Sequence, residues 1–129
     1  MSDISRKRIL VIDDATLVRT YYRAALEGRG FQVDEALNGL EGLEKLLLQP
    51  FDLAIVDVNM PQMDGITFLQ TLRAGELPIS GIPVLVTSTE AGAQDVEAAR
   101  RAGANYYLVK PVSEETLADY AAIFCGVPR

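Results

Sequence analysis

Residues 53–57 read Leu53-Ala54-Ile55-Val56-Asp57. A run this short, apolar at every position and closed by a carboxylate, reads as a strand buried on both faces. Three other stretches repeat the pattern. Ile9-Leu10-Val11-Ile12 runs into Asp13-Asp14, Pro83-Val84-Leu85-Val86 into Thr87, and Tyr107-Leu108-Val109 into Lys110. In an open parallel sheet such strands point the same way, and ligands bind beyond their carboxyl ends. Three carboxylates, a hydroxyl and an ammonium are therefore expected in one pocket. That set suits a divalent cation and a phosphoryl group.

Between the runs the apolar spacing changes from continuous to helical. Leu17, Val18, Tyr21, Tyr22, Ala25 and Leu26 recur at three and four residues, and Gly28 and Gly30 stop them. Phe31, Val33 and Glu35 alternate with Gln32 and Asp34, as in a strand near a sheet edge. Leu40, Leu43, Leu46 and Leu47 mark a second helix, with Asn38 as its cap and Pro50 beyond its end. Asp64 caps a third helix carrying Ile66, Phe68, Leu69 and Leu72. Val96, Ala99 and Arg100 lie in a fourth, which Gly103 ends. Ser113 caps a fifth, with Glu114 and Glu115 in the first turn, where the helix dipole favours acids. Residues 77–81, with Pro78 and Gly81, read as an exposed loop. The order is strand–helix five times. Connections this short predict parallel strands with right-handed crossovers.

The 129 residues fit one domain, enough to bury roughly two-thirds of the unfolded surface. Residues 1–129 are read as that single domain, with no effector domain attached. Twelve basic against 18 acidic residues give a net charge of -6. Apart from Arg6-Lys7-Arg8 the basic residues are scattered, which argues against nucleic acid as a partner. No apolar stretch approaches the ~18 residues of a membrane helix, and the N-terminus lacks a signal-peptide core. A membrane partner is not expected. The lone Cys125 can make no internal disulfide, so a reducing, cytoplasmic setting is expected, with Cys125 as a small apolar residue of the last helix. The chain has no histidine. Histidine triads and common zinc sites are excluded, and any histidine chemistry must come from a partner.

Each polar residue at a strand end has two readings. Asp13-Asp14 is either a turn acid with a helix cap, or a pair of hard oxygen ligands for Mg²⁺. Asp57 is a strand-end carboxylate or a nucleophile that takes a phosphoryl group. The backbone carbonyl of Asn59, in the tight loop that follows, is a candidate third metal ligand. Thr87 bonds to backbone, or donates to a phosphoryl oxygen together with the Ser88 N–H. Lys110 is a surface lysine, or a buried cation that needs these carboxylates as counter-charge. The elements are individually weak, but their order on successive strand ends is specific. Phosphoryl transfer needs mainly positioning and charge neutralisation, and this set supplies both.

With these residues in place, the chain resembles the response-regulator receiver domains of two-component phosphorelay signalling, and most of all the single-domain, chemotaxis-type regulators. The resemblance covers nearly the whole chain. It implies a flavodoxin-like, doubly wound (βα)5 fold, strand order 2-1-3-4-5. It implies that Asp57 is the phosphoacceptor and that Asp13, Asp14, Asp57 and Asn59 hold Mg²⁺ or Mn²⁺. Asn59, Thr87, Ser88 and Lys110 would contact the phosphoryl group, and the Lys110–Pro111 bond would be cis. Tyr107 matches an aromatic switch coupled to Thr87; its other reading is a fixed aromatic at a strand end. Tyr106 and Tyr107 face opposite ways in a strand, so only one can fill the switch channel. Ser88 stands where the family usually has alanine, and Val112 where it has a bulky aromatic.

The implied function is a phosphorylation-controlled switch rather than an enzyme with a separate substrate. Its expected partners are a sensor histidine kinase or histidine phosphotransfer protein, and a target at helix 4, strand 5 and helix 5. Three other classes fit less well. An aspartyl-phosphate phosphatase needs a second aspartate two residues after the nucleophile, where this chain has Asn59. A flavin carrier needs a phosphate loop after strand 1, where Asp13-Asp14 would repel phosphate. A degenerate docking receiver would not need the complete acidic set.

Overall fold

Five parallel strands form one sheet in the order β2-β1-β3-β4-β5. The computed structural model describes residues 6–76 and 79–128. The strands are β1 (Arg8–Ile12), β2 (Gln32–Ala36), β3 (Leu53–Asp57), β4 (Val84–Ser88) and β5 (Tyr106–Val109). The helices are α1 (Thr16–Glu27), α2 (Gly39–Leu48), α3 (Gly65–Arg73), α4 (Ala93–Ala102) and α5 (Glu114–Cys125). The expected flavodoxin-like order and the alternation of strand and helix are both present.

Strand alternation sorts the apolar residues into two cores. Val11, Ile55, Leu85 and Leu108 face α1 and α5, where Leu26, Leu117, Ala121 and Cys125 are buried with them. Leu10, Ile12, Val56 and Val86 point to the other side, against Leu46, Phe68, Leu69 and Ala99 of α2, α3 and α4. Both faces of β3 and β4 are therefore dry, which is why their sequences are continuously apolar.

Three expected caps are in place. The side chains of Asn38, Asp64 and Ser113 accept from the backbone N–H groups of Glu41, Thr67 and Thr116. Gly103 ends α4 with φ at 114°, a conformation that costs a side chain energy. Gly28 follows α1 in right-handed geometry, and Gly30 makes the left-handed turn into β2.

Four expectations about packing are corrected. Tyr107-Leu108-Val109, read as a strand buried on both faces, lies in β5, which pairs only with β4 at the sheet edge and leaves Tyr106 and Val109 exposed. Leu17 and Tyr21, read as part of the apolar face of α1, are exposed, and the buried polar residue on that helix is Arg19. On α2, Leu40 and Leu47 are exposed, and the face turned inward is Gly39, Gly42 and Leu46. The reason is close approach: a Cβ on Gly42 would sit 2.6 Å from Ile12 Cδ1. Small residues set the helix against the sheet, so the bulky leucines beside them turn outward. In the loop expected over residues 77–81, Leu77 and Pro78 lie outside the described residues. Ile79–Gly81 forms a 3-10 turn, with Ile79 packed on the second core rather than fully exposed.

Arg73, at the end of α3, ties that region together. Its guanidinium donates to the carbonyls of Ser80, Ile82 and Gly103 and to Asn105 Oδ1. Burial lowers its pKa, and the oxygens around it are neutral acceptors.

Candidate functional site

Register places the polar residues in a row. Ile12 pairs with Val56, so Asp13 stands beside Asp57. Asp57 pairs with Thr87, and Ser88 with Val109, one residue before Lys110. The four strand ends thus meet at one edge, where β1 leads outward to β2 on one side and to β3 on the other. This is the reversal point where open α/β sheets form their binding crevice.

Asp13 and Asp57 are buried, while Asp14 is exposed. One oxygen from each lies within 4.8 Å of the others. Lys110 Nζ bridges Asp13 Oδ2 and Asp57 Oδ1 at 3.0 Å each. Burial is the main cause of a raised Asp57 pKa. Contact with Lys110 opposes the rise, and the neighbouring Asp13 and Asp14 add to it. For Lys110, burial alone would lower the pKa. Its hydrogen bonds to Asp57 and Asp13 outweigh that, and the net shift is upward. The two shifts describe one arrangement: an ion pair that is favourable, in a cluster that still carries more negative than positive charge.

Asp14 caps no helix, since the N-cap of α1 is Ala15 and no side chain caps it. Asp13 Oδ1 accepts from Ala15 N at 2.9 Å, a turn contact that leaves its other oxygen toward the site. Lys110 is not a surface lysine; its side chain is 19% exposed. Among the described residues the fully buried Thr87 hydroxyl has no hydrogen-bond partner of normal geometry, so it is not simply satisfied by backbone. Asn59 is exposed in the loop after β3, two residues from Asp57. That loop is held by Val58 N donating to Thr87 O and Gly65 N to Val58 O. A Cβ on Gly65 would lie 2.6 Å from Asp57 O, so the turn packs directly under the nucleophile candidate. The Lys110–Pro111 bond is cis, as expected.

Tyr107 donates from its hydroxyl to Glu90 O at 2.8 Å, and its ring packs on the α4 side. Tyr106 points the other way and stacks on Tyr120 of α5, with ring centroids 4.5 Å apart. Ser88 is fully buried, and its Oγ accepts from Glu90 N. Val112 is buried in the first core.

Two residues near the site were not singled out from sequence. Arg19 Nη1 donates to Asp13 O at 2.7 Å while its Nε donates to Glu35. Arg23 also binds Glu35, and this contact is the main cause of a lowered Glu35 pKa. Tyr22, read only as a core position, has its pKa raised chiefly by burial, with Lys110 opposing and Asp13 adding, so its hydroxyl feels the site's charges. It lies beside the Thr87 hydroxyl without bonding it in normal geometry. The arginine periodicity of α1, with Arg19 and Arg23 one turn apart, was the available signal for the first; nothing in the sequence marks the second.

A doubly wound sheet whose strand ends gather three carboxylates, a lysine and a buried hydroxyl offers the donor set that a divalent cation or a phosphoryl group would need. Comparison with known proteins narrows the class. Residues 9–122 match the response regulator receiver domain family. Chemotaxis protein CheY-3 of Vibrio cholerae is 37% identical over 113 residues, 87% of this chain and 86% of that one. Transcriptional regulatory protein PrrA of Mycobacterium leprae is 36% identical over 84% of this chain, which spans 45% of that longer protein. Among solved structures, chemotaxis protein CheY4 of Vibrio cholerae superposes with a TM-score of 0.86 at 31% identity, covering 92% of this chain and 98% of that one. A CheY-like receiver domain from Methanospirillum hungatei gives 0.85 at 30% identity, covering 95% of each. The chain belongs to the response regulator receiver domain family of two-component systems, and among its relatives are single-domain chemotaxis regulators. Among the described residues, no helix is long and apolar enough to cross a membrane.

Proposed function

We propose that this chain is a switch that takes a phosphoryl group from a partner's phosphohistidine onto Asp57, and that the modification changes its protein contacts. The supporting observation is the row of Asp57, Thr87 and Lys110 beside Asp13 and Asp14. An Asp57 oxygen forms a bond to phosphorus as the phosphorus–nitrogen bond of the donor breaks, and the imidazole leaves. Lys110 is already on Asp57 and would follow the incoming charge. The Thr87 hydroxyl, without a partner at rest, is free to donate to a phosphoryl oxygen, as is the Ser88 N–H.

A divalent cation fits this site. Asp14 has a carboxylate not used in capping, and Asp13 and Asp57 keep oxygens within reach of it. Mg²⁺ favours such hard oxygen donors with part of its water shell retained, and Mn²⁺ accepts the same set. The Asn59 carbonyl would complete the protein's share. When bound, the cation would neutralise charge on the transferring group.

Output would run from Thr87 through Tyr107 to the edge formed by α4, β5 and α5. A groove of about 270 Å³ lies there, lined by Val96, Arg100, Ala104, Asn105, Tyr106 and Tyr107. Tyr106, Val109 and Ile123 are exposed along the same edge. A protein target suits this surface.

The test is intact-mass analysis after incubation with Mg²⁺ and a small phosphodonor. One phosphoryl group is expected, labile to hydroxylamine as an acyl phosphate is, and absent from Asp57→Asn. No gain in the native chain, or an equal gain in Asp57→Asn, refutes the assignment.

A further inference from the structure

We infer that Ser88 is a positioning residue: its side chain holds the loop after β4 so that the Glu90 carbonyl meets the Tyr107 hydroxyl before any phosphoryl group arrives. Ser88 is the last residue of β4 and is fully buried. Its Oγ accepts from Glu90 N at 3.0 Å, while its own carbonyl accepts from Lys110 N at 2.7 Å. On the other side of Glu90, the carbonyl accepts from the Tyr107 hydroxyl at 2.8 Å. The N–H and the carbonyl of one residue belong to successive peptide planes. Holding both planes fixes the two backbone dihedrals of Glu90, the only soft torsions between them.

Little else can fix that loop. Thr89, Glu90, Ala91 and Gly92 are all exposed, so no apolar burial positions them. Alanine at position 88 would return the Glu90 N–H to water and free one of the two planes. The Glu90 carbonyl would then meet Tyr107 in only part of the population. Ser88 thereby biases the resting chain toward the tyrosine-docked arrangement. Under the switch reading proposed above, on which this consequence rests, the native chain is partly preset, and an alanine variant depends more fully on phosphorylation.

The experiment uses the full chain labelled with 3-fluorotyrosine, with the Tyr107 resonance assigned from Tyr107→Phe. At rest, Ser88→Ala should shift the docked-to-free ratio of Tyr107 about fivefold toward free, the change that one ordinary hydrogen bond brings. Thr89→Ala, on an exposed side chain of the same loop, should match the native spectrum. Amide exchange at Glu90 should speed up in Ser88→Ala and also in Tyr107→Phe, because a clamp loosens when either arm is cut. Identical resting spectra for the native chain and Ser88→Ala overturn the inference. So does Glu90 exchange that ignores Tyr107→Phe. Beryllofluoride with Mg²⁺ separates this from the phosphorylation reading. If the Asp57 reading fails, no variant responds to it, while the resting difference at Ser88 stands. If the inference fails, both chains respond from the same starting spectrum.

Discussion

Replacing Asp14 by alanine should stabilise the metal-free protein and remove its response to Mg²⁺. Carboxylate oxygens of Asp13, Asp14 and Asp57 lie within 4.8 Å of one another. At an effective dielectric of about 20, a like-charged pair at 4.8 Å repels by about 3.5 kcal/mol. Asp14 is exposed, and in bulk water the same pair at 4.8 Å repels by only about 0.9 kcal/mol. Lys110 bridges the other two acids and offsets part of what remains. A net relief of about 1 kcal/mol is the reasonable figure, near the screened limit. For a domain of this size that raises the melting temperature by about 3–4 °C. The mutation carries no capping penalty, because Ala15 occupies the N-cap of α1. Mg²⁺ at ten times its dissociation constant would add about 1.4 kcal/mol to the native chain and nothing to the variant. Four thermal melts followed by far-UV circular dichroism, each protein with chelator and with millimolar Mg²⁺, decide it. A variant that melts below the native chain without metal, yet still rises with Mg²⁺, refutes both the repulsion argument and Asp14 as a ligand.

Thr87→Ala should still gain one phosphoryl group in the mass assay, while the fluorotyrosine signal of Tyr107 no longer responds to it; a native-like response would remove Thr87 as the coupling element. The contribution of Asp57 to the stability of the metal-free protein should fall as pH rises above its ordinary carboxyl value of 3.8. Asp57 has a raised folded pKa, so the native state holds its proton more tightly than the unfolded chain, and that contribution fades as pH passes the folded value. Urea midpoints across this range should show the fall, and Asp57→Asn should flatten it. The raised pKa of Lys110 acts at the other end, its contribution holding through neutrality and fading only above its ordinary value of 10.5. Arg73→Met should cost about 3 kcal/mol, because it strips hydrogen bonds from the partly buried carbonyls of three residues; a loss under 1 kcal/mol by urea denaturation would show that water replaces the guanidinium.

β1, β3 and β4 were legible because a strand buried on both faces announces itself by an unbroken apolar run with a polar residue at its end; β5 showed the same kind of run but lies at the sheet edge, with Tyr106 and Val109 exposed. β2, paired only with β1 at the sheet edge, showed instead the alternation of a half-covered strand. The helix caps at Asn38, Asp64 and Ser113 were legible because capping chemistry is local. Which leucines of α2 face inward was not. That choice rests on how closely Gly39 and Gly42 let the helix approach Met63 and Ile12, a fact about partners distant in sequence. Arg19 escaped for a similar reason. A buried guanidinium is tolerable only because Glu35 of β2 and the Asp13 carbonyl, just beyond β1, converge on it, and no local pattern encodes that convergence. The site row itself was readable as residue types. The Thr87 hydroxyl without a partner and the Glu90 clamp needed the fold.

Cys125 gives the molecule a built-in reporter. The thiol is buried against the first core, and burial pushes its pKa up to about 12. At pH 8 roughly one molecule in ten thousand then carries the reactive thiolate, against about a quarter for a free cysteine. An alkylating reagent therefore ignores the folded chain and captures it when α5 lifts away from the sheet. Because this is the chain's one cysteine, the labelling rate counts such openings without interference from other thiols. It times the excursions of the helix that borders the proposed output edge.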